Sequence, residues 1–138
     1  MTLASLNESG RLSSPIDVAD AVIPGDDTVS AALGYLHSNC GPCHGNALAP
    51  SGLLFWVDVE TATPEETGTY LTGVGMRAVR PIGEATERII PGDPDMSLVV
   101  QRMESRMDGI QMPPIGTEIV HPEGIEDVRA WITALPVE

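Results

Sequence analysis

Five consecutive residues, Cys40-Gly41-Pro42-Cys43-His44, hold the densest chemistry in the chain. Two thiols at this spacing suit a redox dithiol, part of a zinc site or, with His directly after them, covalent attachment of a haem. A thioredoxin-type dithiol needs a strand before it and a βαβ context. Here an amphipathic helical pattern precedes the motif, and no parallel-sheet pattern follows. A zinc site needs more ligands at a sensible spacing, and the chain has no other cysteine. The haem reading uses all five residues. The two thiols reach the two vinyl-derived carbons on one edge of the porphyrin, and the histidine places Nε2 on the iron. The Pro42 carbonyl is a natural acceptor for the His44 Nδ1–H, a contact that would orient the ring and raise its basicity.

A second axial ligand must come from elsewhere. Met96, Met103 and Met107 fall on the apolar face of a helical pattern, where packing explains a methionine. Met76 lies in a Gly-rich stretch before Arg77. Met112 stands outside any helix, and Pro113 and Pro114 stiffen the backbone that presents it. A thioether is a weak iron ligand that needs such support. His121, before Pro122, is the rival, and it would give bis-His ligation. His37 is expected to be a surface or partly packed residue of the first helix. An empty distal side would turn the chemistry toward gas binding or peroxide. Arg77, Arg80 and Arg88 can pair with haem propionates, and Trp56 or Tyr70 can donate hydrogen bonds there. The alternative for the arginines is surface pairing with Glu84 and Glu87.

The elements that must position these groups are readable in outline. Residues 1–26 are polar and irregular, an expected tail or wrapping arm, and 27–138 form the domain. A helix is expected over Asp27–Asn39, with Val29, Leu33 and Leu36 on one face and Asp27 or Thr28 as cap. Gly34 inside it suggests close approach of another helix. Residues 45–93 are loop-rich, with an apolar run from Leu53 to Val59 read as a short strand or an extended wall. A short helix is expected over Thr63–Leu71. A third long pattern starts at Asp93 and Pro94 and carries Met96, Val99, Val100, Met103 and Met107. The last helix runs from about Pro122 to Leu135, with Ile125, Val128, Trp131, Ile132 and Leu135 as its stripe.

Over residues 27–135 this order resembles the class I cytochrome c family: a helix, C-x-x-C-H, loops, a late Met and a closing helix. The stretch Ile90-Pro91-Gly92-Asp93-Pro94, then Ser97-Leu98 and Met112-Pro113-Pro114, is similar to haem domains attached to larger secreted bacterial proteins. The resemblance implies an all-α fold wrapped around one covalent haem c, with His44 and Met112 on the iron. It also implies a close crossing of the first and last helices, for which Gly34 and Trp131 fit, with Tyr35 nearby. The function it implies is one-electron transfer rather than catalysis. The alternatives are a haem protein with an open or displaceable distal site (a ligand sensor or peroxidase-like enzyme) and an electron-accepting domain or subunit of a dehydrogenase.

Bulk properties agree. A length of 138 residues suits one domain. Only one Phe, two Tyr and two Trp are present, so a buried porphyrin would supply ring volume the core lacks. Twenty acidic residues against seven basic ones give a net charge of −13, which disfavours nucleic acid and anionic lipid. It suits either a redox partner with a basic docking patch, for a monomer or homodimer of this chain, or a surface whose acidity serves only solubility, as in a salty environment. No apolar stretch is long enough to span a membrane. Met1–Gly10 lacks the features of a signal peptide. Covalent haem attachment normally occurs outside the cytoplasm, so a periplasmic or otherwise exported location is expected, with an export signal on the precursor.

Overall fold

The structure is a computed structural model that describes residues 3–15, 22–45, 50–58 and 60–137. Val59, the end of the expected apolar run, and residues 1–2 and 16–21 of the expected arm lie outside the described residues.

The domain is small and mostly helical, with one two-stranded hairpin. A short helix α1 spans Leu3–Glu8. Helix α2 spans Asp27–Asn39, as its periodicity implies. Its cap is Asp26, not the expected Asp27 or Thr28. The Asp26 carboxylate accepts from the backbone N–H of Thr28 and Val29, both at 3.0 Å. Cys40 closes α2, and Gly41–His44 then make a single helical turn, α3.

After α3, residues 53–58 belong to no helix and no ladder, and their burial alternates as in an extended chain, with Phe55 and Val57 buried and Trp56 and Asp58 exposed. The expected helix over Thr63–Leu71 is divided. A 3₁₀ turn covers Pro64–Glu66, and α4 spans Gly68–Gly73. Thr67 causes the break: it is extended, and its Oγ1 accepts from the Tyr70 N–H, so it caps a new helix. Strand β1 (Arg77–Ile82) pairs antiparallel with β2 (Ala85–Glu87). This hairpin corrects the all-α expectation. Its β1 pattern is mostly exposed, so it lacks the buried alternation that announces a strand.

Helix α5 spans Leu98–Glu104, shorter at both ends than the methionine pattern implies. Asp93 does not cap it. The Asp93 carboxylate instead accepts from the Met96 N–H at 3.0 Å, which makes a separate turn. Ser97 is fully buried and ties that turn, accepting from the Ile90 N–H and donating to the Asp93 carbonyl, both at 2.8 Å. At the far end the Ser105 hydroxyl accepts from the Met107 N–H, and Met107 leaves the apolar face for solvent.

Helix α6 spans Pro122–Ala134 and packs on α2. Ala32, Leu33 and Leu36 of α2 share one core with Val128, Trp131 and Ile132 of α6. Each large side chain among them contributes about 1.5–3 kcal/mol by its burial. The close approach between these helices is not at Gly34, where an added Cβ would meet only Ile23 Cγ1 at 3.6 Å. It is at Gly124 of α6, where a Cβ would land on the Tyr35 ring.

Candidate cofactor cavity

The C-x-x-C-H turn is held against the extended segment that follows it. The Phe55 N–H donates to the His44 carbonyl at 2.7 Å, and the Phe55 ring meets the His44 ring edge-on at 5.5 Å. Gly41 permits this contact, because a Cβ there would lie 2.8 Å from the Phe55 carbonyl oxygen. Trp56 covers the back of the turn. Its indole N–H donates to Asp58, and its ring lies 4.4 Å from that of His37. His37 Nδ1 accepts from the Val57 N–H at 3.1 Å, so this histidine holds the extended segment in place.

His44 Nδ1 lies 3.0 Å from the Leu53 carbonyl. A carbonyl can only accept, so Nδ1 carries a proton, and in the neutral ring Nε2 then has its lone pair free. The orienting partner is therefore Leu53, not Pro42, because the extended segment folds back beside the ring. Cys40 is half-buried, Cys43 is exposed, and neither is in a disulfide. Burial, with some help from Cys43, pushes the Cys40 thiol up to about 11. A redox dithiol needs a thiol that ionises easily, and Cys40 is shifted the other way.

Cys40, Cys43 and His44 open onto a cavity of about 450 Å³. Leu53, Phe55, Leu98, Val99 and Met103 supply apolar wall, and Met112, Pro113 and Pro114 come from the loop after α5. Met112 is anchored through its backbone N–H, which donates to the Arg102 carbonyl at 2.9 Å. Three arginines, Arg80, Arg88 and Arg102, line the same space, and among the described residues no Asp or Glu does. In a chain with 20 acidic and seven basic residues, that is a local reversal of charge.

Arg88 spends part of its guanidinium on backbone carbonyls: Thr72 at 2.6 Å and Ser51 at 2.5 Å. Among the described residues, Arg77, Arg80 and Arg88 form no ion pair with Glu84 or Glu87. Arg77 is exposed on β1 and does not line the cavity. Trp56 and Tyr70 do not line it either; Tyr70 packs on Trp131, with ring centroids 5.7 Å apart. Met76 is exposed. His121 lies outside the cavity, stacked on Tyr35 at 5.5 Å and 3.6 Å from Glu123.

The reading of the sequence missed Arg102. The signal was present: Leu98, Val99, Arg102 and Met103 sit at i, i+1, i+4 and i+5, one face of a helix.

These residues fit a haem. The donor set is two thiols, an imidazole with a free lone pair and a thioether. The apolar wall suits a porphyrin face, and the arginines suit two carboxylates. The volume is in the range of ordinary small-molecule sites, about 300–1,000 Å³. Among the described residues, no cluster of three or more His, Cys, Asp or Glu offers another metal site, and no helix is long and apolar enough to cross a membrane. In comparison with known proteins, no family model, curated protein or solved structure gives a significant match to the chain.

Proposed function

We propose that the chain is a c-type cytochrome domain that carries one electron at a time, with a haem attached through Cys40 and Cys43 and its iron ligated by His44 and Met112. The observation that carries this reading is the content of one cavity. The C-x-x-C-H turn, the only loop methionine stiffened by two prolines, an apolar wall and three unopposed arginines all meet there. When bound, haem supplies a ferric–ferrous couple.

Each residue has a defined task. The Leu53 carbonyl holds the His44 Nδ1–H, which aligns the ring and raises the basicity of Nε2. The Arg102 carbonyl and Pro113-Pro114 hold the Met112 loop. A haem iron held by His44 and Met112 would keep no coordination site for substrate, and the chemistry it would supply is outer-sphere electron transfer. Leu53, Phe55, Val99 and Met103 give the cavity an apolar wall that would keep water from a haem and favour its less charged, reduced iron. Arg80 and Arg88 provide cations for the haem carboxylates. The acidic exterior suits a redox partner with a basic docking patch, met in a short encounter of small area. Covalent attachment implies a periplasmic or otherwise exported setting.

Production alongside a haem-attachment system, followed by acid–solvent extraction, tests the proposal. The chromophore is expected to stay with the wild-type protein and to be absent from the Cys40→Ala/Cys43→Ala variant. A wild-type protein that binds no haem, or yields all of it to solvent, contradicts the reading.

A further inference from the structure

Arg102 joins three separate parts of the cavity wall. From α5, Nη1 donates to the Ile110 carbonyl and Nη2 to the Arg80 carbonyl, both at 2.9 Å. Its own carbonyl accepts from the Met112 N–H at 2.9 Å. One residue thus fastens helix α5, strand β1 and the loop that presents Met112. Only arginine does this well. Its planar fork sends donors toward two carbonyls at once, and a lysine ammonium is a single point. No carboxylate among the described residues forms an ion pair with Arg102, so the guanidinium is committed to backbone oxygens. Those bonds are charge-assisted and stronger than ordinary amide bonds. Burial, followed by the nearby Arg80 charge, makes the cation harder to keep, a cost the two carbonyls offset.

We infer that Arg102 is a positioning residue for Met112: it clasps the loop between α5 and β1 and so keeps the thioether on the iron. The inference rests on the haem reading above, since it names what the clasp is for. It does not require Arg102 to touch the iron. The side-chain clasp acts through Ile110, two residues before Met112, and through Arg80; the Met112 N–H bond to the Arg102 carbonyl is a main-chain bond that any residue there would keep.

The test is competition for the axial position by free imidazole, followed optically in the ferric holoprotein. Wild type is compared with Arg102→Ala, with Arg102→Lys, and with Arg129→Ala, which breaks only the ion pairs of α6 with Asp95 and Glu104. Imidazole affinity is expected to rise at least about tenfold in Arg102→Ala, the factor of one charge-assisted hydrogen bond. Arg102→Lys is expected to fall between that variant and wild type, and Arg129→Ala to match wild type. If Arg102→Ala does not fold, Arg102→Lys carries the test, with the Met112 amide expected to exchange hydrogen faster relative to α2 amides. Unchanged imidazole affinity in the Arg102 variants, beside a wild type with the far-red band of sulfur-ligated haem, overturns the clasp alone. A wild type without that band overturns the His/Met reading and the clasp with it.

Discussion

Met112 and His121 compete on paper for the second axial position, and their surroundings differ. Met112 lines the cavity, with its loop tied to α5. His121 stacks on Tyr35 beside Glu123, outside the cavity. Met112→Ala is therefore expected to open the iron and shift it to high spin, with carbon monoxide binding readily to the reduced protein. His121→Ala is expected to leave the spectrum unchanged, and a lost axial ligand in that variant would reverse the assignment. Cys40 gives a second expectation, for the protein before attachment. Its thiol is raised from 9.0 to about 11, mainly by burial. Below its pKa the thiolate fraction rises about tenfold per pH unit, so alkylation of Cys40 in a Cys43→Ala variant, which loses the smaller Cys43 contribution and keeps the burial, should go on accelerating above pH 9. The sign for stability follows. An unfolded thiol releases its proton first, so folding of the unattached chain loses stability as pH rises from about 9 to about 11. An alkylation rate that levels off below pH 9 would show that Cys40 is not buried as described.

At the scale of elements, α2 and α6 were legible because their apolar residues repeat at 3.6 and are buried on one shared face. The C-x-x-C-H turn and Met112 stand out in the sequence by residue type and local stiffness, and the structure brings them to one cavity. The rest depends on contacts between distant residues, which no local pattern records. Gly34 and Gly124 both interrupt a helix, yet only the tertiary contact with Tyr35 separates them. Gly34→Ala is expected to raise stability by up to about 1 kcal/mol, since the helix gains propensity and the new methyl meets only Ile23 at ordinary distance. Gly124→Ala is expected to cost about 1–3 kcal/mol as Tyr35 is forced aside. Thermal denaturation of both variants checks the pair, and equal effects would contradict the packing. The boundaries of α5 were misread because Asp93 and Ser105 turn their side chains to local backbone N–H groups, which moves the helix start and stop. The hairpin escaped notice because its strands are mostly exposed, and Arg102 because a charged residue on a helix reads as solvent-facing until its partners are known.

Over the whole molecule, charge is unevenly placed. A net charge of −13 surrounds a cavity whose ionic lining is three arginines. Long-range approach is governed by the net charge, and added salt screens it within about 10 Å at 0.1 M. Reduction by a cationic metal complex should therefore slow as salt is raised, and reduction by an anionic complex should quicken. The opposite salt dependence would mean that the arginine-lined side dominates the encounter. In the proposed function, one cavity holds a covalent haem between His44 and Met112. The optical spectrum of the purified holoprotein, oxidised and then reduced, tests it most directly. The expected result is the weak far-red band of sulfur-ligated ferric haem, replaced by sharp low-spin bands on reduction. A high-spin ferric spectrum that changes when cyanide is added would contradict the account.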